Sequence, residues 1–267
     1  MEKWQKYYLS LIFVAIYSQV SAQVNCSIYT DENCRKACEI SNQAGDGNVQ
    51  GYSLSQLAFD KAIEICPTYD DAYFEKSVPY LKRGDFVTWK KLIDKAVEIN
   101  PKDHLGYRGW CKFQFLRDYK GAIQDFDTLE KFYPDNLGYS KNGDYNLYVV
   151  KAICYSGLNQ KDKAIQILEN LFKTKDYHYG LYDHYQLGVT YFELNQYDKA
   201  LENFEKQSKV YDFAENIYFK SKVSKIRNKD YLDLKKAALI AYDDGKTMKD
   251  GYTHHFNKVY RKQITEL

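Results

Sequence analysis

The residues best able to do chemistry in this 267-residue chain are its six cysteines and five histidines. Cys34 and Cys38 stand four apart, which on a helix puts both sulfurs on one face within reach of a metal ion. A tetrahedral zinc site needs a second such pair, and the sequence has none, so disulfides to other segments are expected instead. Cys26, Cys34 and Cys38 cluster near the start and Cys66 closes the following helical stretch. A staple between those two regions is expected, with its pairing left open. Cys111 and Cys154 fall in successive helical segments and can equally remain reduced, packed as small hydrophobes. His254 and His255 form the one histidine cluster, and adjacent helical residues diverge, so a surface position is expected rather than a metal site. The stretch from Asp46 to Gly51 has the look of a calcium loop, but Leu57 stands where the closing bidentate glutamate belongs. There is no glycine-rich phosphate loop followed by lysine, no serine elbow between glycines and no His-Glu pair on a helix. No catalytic residue, metal or cofactor is therefore expected.

The charge balance excludes other classes. The chain has 38 Lys and Arg against 36 Asp and Glu, a formal charge of +2, so no global field recruits nucleic acid or an anionic membrane. Apolar residues make up 45%, enough to bury a core at this length. Only four prolines interrupt the chain, while 27 tyrosines and 14 phenylalanines supply large rings suited to helix packing and groove walls.

Residues 1–22 differ from the rest. Lys3 and Lys6 precede a short apolar run, Leu9 to Tyr17, and Ser21 and Ala22 offer a small-residue cleavage site. The run is far below the roughly 20 residues needed to span a bilayer, so a cleaved secretory leader is expected and no membrane insertion after cleavage. Gln23, Val24 and Asn25 do not suit lipid attachment at Cys26, and Asn25 to Ser27 is a glycosylation pattern that matters only in a eukaryotic secretory pathway.

Beyond the leader the sequence repeats. Pro67, Pro101 and Pro134 are spaced by 34 and then 33 residues, each after a helix-like stretch. A turn leading into a small residue recurs with them, at Asp118 to Ala122, Lys161 to Ala164 and Gln196 to Ala200. These phrases resemble the tetratricopeptide repeat family. The best unit runs from Leu181 to Ala214, with His184, Leu187, Gly188, Tyr191, Ala200 and Phe204 in the family's preferred slots. The unit before it matches through Tyr148, Ala152, Tyr155, Ala164 and Leu168. Earlier units drift. Ala96 keeps its place, but Trp89 fills a small-residue slot and Pro79 falls inside a first helix, so a kink or a wider pair is expected there. The third unit keeps Tyr107, Ala122 and Phe126, with one residue lost from its first half.

The resemblance implies an all-α, right-handed superhelical solenoid of antiparallel helix pairs, about five to six repeats plus a C-terminal capping helix. The expected division is a leader at 1–22, a cysteine-containing segment at 23–35, repeats at 36–136, an inserted loop at 137–144 that could articulate two halves, repeats at 145–248 and a capping region at 249–267, helical from Thr253 to Glu266. It further implies that first helices line a concave groove for another protein or peptide. The inward slots hold Phe74, Val78, Arg108, Lys112, Val149, Ile153, Tyr182, Tyr185, Val189, Phe192, Phe219 and Val223, an aromatic surface with one basic spot. The lysine and asparagine of carboxylate-binding relatives are missing, since Ile40 and Ala44 stand in their places. The expected function is an exported, non-enzymatic scaffold, periplasmic or secreted, that holds an apolar peptide or partner helix. The alternative is an accessory subunit of an envelope assembly that uses its edges and ends. Tyrosines at helical spacing also serve simply to pack repeats together.

Overall fold

The computed structural model describes residues 24–45 and 50–267; the leader at 1–22 and most of the loop at 46–51 lie outside them. Six helix pairs follow one another, and no strand occurs among the described residues. The pairs are α1 (Glu32–Gly45) with α2 (Ser53–Ile65), α3 (Asp70–Lys82) with α4 (Phe86–Ile99), and α5 (Pro101–Cys111) with α6 (Tyr119–Glu130). They continue as α7 (Leu147–Gly157) with α8 (Lys161–Phe172), α9 (Asp183–Glu193) with α10 (Tyr197–Val210), and α11 (Ala214–Ile226) with α12 (Leu232–Asp243). A short α13 (Arg261–Thr265) ends the chain. Each pair packs on the next, and first helices also touch one another: α1 with α3, α5 with α7, α7 with α9 and α9 with α11. They therefore line one common face, the inner face of a helical repeat solenoid.

The turn inside five of the pairs repeats in detail. Its second-to-last residue before the second helix has a positive φ, at Gly84 (84°), Arg117 (54°), Asn159 (60°), Asn195 (58°) and Asn228 (56°) in α3/α4 through α11/α12, allowing for a longer lead-in to α12. Glycine and asparagine tolerate this left-handed conformation, which ends the first helix and turns the chain back. Asp85 and Asp118 then cap the second helices by accepting from Thr88 N and Gly121 N at 3.1 and 2.9 Å.

Close approach within a pair depends on a small residue facing an aromatic ring. A Cβ added to Gly188 would sit 2.5 Å from a ring carbon of Phe204. Ala96, Ala122, Ala164 and Ala200 are fully buried on the second helices, and Tyr191 is buried beside them. In the third pair the small residue is Gly109, whose added Cβ would lie 2.8 Å from Phe126. The irregularity there is not a lost residue. A π-helical turn at Lys112–Leu116 prolongs α5 and takes up an extra residue before the turn. Proline behaves as helix-start chemistry predicts at Pro101, the first residue of α5, and Pro67 and Pro134 stand in the turns after α2 and α6. Pro79, by contrast, lies within α3, which runs on to Lys82. Trp89 is accepted fully buried in the slot expected to be small.

One apolar core runs from α3 to α11, with smaller clusters at each end. The N-terminal cluster is cross-linked by disulfides Cys26–Cys38 and Cys34–Cys66, which tie the first segment and α1 to the end of α2. Cys111 and Cys154 are free and buried, and burial pushes both thiols well above their usual range.

Candidate functional site

The inner face is largely occupied by the chain itself. Residues 246–260, expected to be helical from Thr253, are instead extended and turned, and only α13 is helical. This strap leaves the end of α12, where Lys246 O accepts from Ala214 N at 2.9 Å, and runs across the first helices. The groups that hold it reach mainly for its backbone. Tyr185 Oη donates to Asn257 O at 2.6 Å, Gln186 Nε2 donates to Phe256 O at 3.2 Å, and Arg117 donates to His254 O. Gln114 Nε2 donates to Thr253 Oγ1 at 2.7 Å, and Phe256 meets the Tyr119 ring edge-on at 5.9 Å.

Two buried polar centres fix the strap further. Glu215, with no exposed surface, pairs with Lys258 Nζ at 2.7 Å and accepts from Met248 N at 3.2 Å. Burial pushes its carboxyl up, and Lys258 opposes that shift. His255, expected on the surface, is buried between the rings of Tyr145 and Tyr182. Its Nδ1 lies 3.2 Å from Tyr145 Oη and its Nε2 lies 2.9 Å from Lys249 O. Asp144 of the inserted loop and Asp250 of the strap complete a group whose ligand atoms all lie within 4.8 Å of one another. Both ring nitrogens are thus engaged, with Tyr145 Oη and with the Lys249 carbonyl, and the cluster joins the inserted loop to the strap.

The residues expected to line a free groove are mostly packing residues. Val149, Ile153, Tyr182, Tyr185 and Val189 are buried in the main core. Phe192 and Phe219 are half-buried and pack on each other with centroids 5.2 Å apart, while Phe219 also stacks on Phe204 at 5.7 Å. Tyr182 and Tyr185 meet Phe213 at 5.3 and 5.1 Å. In this half of the molecule the tyrosines join repeats and receive the strap.

The expected basic spot is absent from the inner face as well. Arg108 donates to Asp125 through Nε and Nη2 at 3.0 and 2.7 Å and to Asp94 at 2.9 Å. Lys112 Nζ lies 2.8 Å from Asp125. Both cations therefore reach back to the second helices α4 and α6, where buried Asp125 requires them. With Gly109 at the helix contact, α5 turns Tyr107, Trp110 and, past the π turn, Phe115 to the inner side instead.

Phe74 and Val78 are expected residues that remain beside open space. A cavity of about 490 Å³ lies at the N-terminal end of the inner face, walled by Phe74, Val78, Tyr107, Trp110, Phe115 and the strap residue Tyr252. Glu75 and Asp250 supply its negative charges, and Lys82 and Lys141 its positive ones. Phe74 meets Tyr107 edge-on at 4.8 Å and stacks on His104 at 5.3 Å, and His104 is held by Asp70 at 2.8 Å. Tyr107, Trp110 and Phe115 were not expected here; Gly109, seated against Phe126, sets which side of α5 faces inward, and the π turn follows it.

The tetratricopeptide repeat family matches residues 184–211, the α9/α10 pair in which Gly188 meets Phe204. That helix pair carries a tetratricopeptide repeat. Among solved structures, this repeat protein is similar in fold to PilW, described as a widely conserved type IV pilus biogenesis factor. The TM-score is 0.60 at 15% identity, over 80% of this chain and 95% of PilW. It is similar to PilF of Pseudomonas aeruginosa, with a TM-score of 0.60 at 14% identity over 80% of this chain and 93% of that one. YrrB, described as a TPR protein with an unusual peptide-binding site, matches with a TM-score of 0.51 at 19% identity, over 65% of this chain and 86% of YrrB. No curated protein matches in sequence. The likeness to PilW and PilF covers 80% of this chain and identifies the fold. No helix among the described residues is long and apolar enough to cross a membrane.

Proposed function

We propose that this protein is an exported interaction scaffold that holds an extended segment of another protein at the N-terminal end of its inner face. The observation that carries this reading is the division of that face. Its C-terminal half is closed by the strap, while the aromatic cavity beside Phe74, Tyr107 and Trp110 stays open at a size suited to peptide side chains. Tetratricopeptide repeat proteins act as protein-binding scaffolds, and the peptide-binding site described for YrrB and the pilus-biogenesis role described for PilW are in keeping with this use. Export is supported by the leader-like residues 1–22 and by two disulfides, which persist in an oxidising compartment. No catalytic role is proposed.

Phe74→Ala with Trp110→Ala, compared with the natural protein as bait in the exported fraction, tests the site. Partners captured by the natural protein should be lost from a variant that keeps its helical content. Undiminished capture would sink the cavity as the binding site. It would favour the second reading, an accessory subunit bound by its edges, which the self-filled C-terminal half of the inner face supports.

A further inference from the structure

The open cavity has a charge pattern that its apolar walls do not explain. Glu75 lies on the cavity wall between Phe74 and the next helical turn at Val78, and burial pushes its carboxyl above the usual range. Gln50 donates a hydrogen bond to it, but among the described residues no lysine, arginine or histidine comes within 4.0 Å of it. The carbonyl of the same residue loses its helical donor, because Pro79, four positions on, has no N–H. One turn earlier Asp71 adds negative charge, its carboxyl also pushed up by burial and by the neighbouring Asp70. A carboxylate taken out of water without a cationic partner is costly, and the neighbouring aromatic faces also attract cations.

A resident cation marks the place. Lys141, exposed on the inserted loop, holds its ammonium 5.4 Å from the centroid of Phe74 and acts on Glu75 through space. Lys82, the other lysine at the rim, stands over Tyr252 of the strap at 5.5 Å and acts on Glu75 through space less strongly than Lys141. We infer that the cavity binds a lysine or arginine side chain of an extended peptide, its charged head on Glu75 and its methylenes along Phe74, Tyr107 and Trp110, beside Lys141. An acidic side chain would meet Glu75 and Asp250 on the cavity wall, and a purely apolar one would leave the half-buried Glu75 with the hydrogen bond from Gln50 and no cation in contact. This assignment rests on the inner face being a peptide site.

The test uses the full chain and three fluorescein-labelled pentapeptides with two phenylalanines flanking a central lysine, norleucine or glutamate, followed by fluorescence anisotropy. The lysine peptide should bind about tenfold more tightly than the norleucine peptide, and the glutamate peptide more weakly than either. Glu75→Gln, which keeps nearly the same shape and a partner for Gln50, should abolish the preference for lysine, with an unchanged melting temperature showing that the fold is intact. Lys141→Ala should tighten the lysine peptide while leaving the norleucine peptide unchanged. Equal affinity for lysine and norleucine, or an undiminished preference in Glu75→Gln, overturns the assignment while a bound norleucine peptide leaves the inner-face reading standing. Binding of none of the three overturns the cation site, and capture from the exported fraction then decides the scaffold reading.

Discussion

Tyr185 Oη donates a 2.6 Å hydrogen bond to the carbonyl of Asn257, 72 residues further along the chain. A side chain on the inner face of the α9/α10 repeat thus holds the backbone of the chain's own C-terminal segment. Gln186 does the same one residue away, which makes α9 the main anchor of the strap.

Removing that anchor should loosen the strap and leave the solenoid folded. Tyr185→Phe keeps the ring that packs on Phe213 and Phe219 and deletes the hydroxyl, at a cost of about 1 kcal/mol. Amide exchange should accelerate across 246–260 while α3 to α10 stay protected. Uniform acceleration over the whole chain would show that the strap is not a separable unit.

Gly188 faces the Phe204 ring too closely for a side chain. Gly188→Ala should lower stability by about 1–3 kcal/mol through overpacking, and Gly188→Leu by more. Gly109→Ala should show a similar loss against Phe126, and thermal unfolding of each variant measures it. A neutral Gly109→Ala would mean that the π turn lets α5 shift away.

The Cys34–Cys66 disulfide closes a longer loop than Cys26–Cys38, joining α1 to the end of α2. Cys34→Ser should cost about 2–4 kcal/mol, concentrated in the first helix pair. Limited proteolysis should then cut within α1 and α2 before it reaches α3. Cys111→Ala and Cys154→Ala lack this cross-linking role and should affect only packing.

Stability should also carry a signature of Asp71. Its carboxyl is pushed up from 3.8 to about 6, first by burial and then by Asp70, so the folded chain holds a proton there that the unfolded chain has released. Between about pH 4 and 6 this group's contribution therefore declines as pH rises. Asp70 acts in the opposite sense, because His104 holds its carboxyl below the usual range. Asp71→Asn should flatten the decline and raise stability at pH 7 by about 1–2 kcal/mol, read from urea unfolding at pH 4.5 and 7. An unchanged slope would place the titration elsewhere.

Local chemistry by itself determined the helix pairs. Pro101 starts a helix, glycine or asparagine at residues 84, 159, 195 and 228 permits the left-handed turn, and Gly188 with Ala200 and Phe204 sets the close contact within a pair. Each of these depends on residues within one repeat, so spacing alone reveals it. Tertiary structure decided which surface is available. The direction of Arg108 and Lys112 depends on Asp94 and Asp125 in other helices, and the inner side of α5 depends on Gly109 seating against Phe126, with a π turn after it that repeat spacing cannot distinguish from a missing residue. Residues 249–260 follow the inner face instead of forming a helix because Tyr185, Gln186, Arg117 and Glu215, all distant in sequence, satisfy their backbone and Lys258. A polar segment whose partners lie up to 139 residues away carries no local sign of where it will rest.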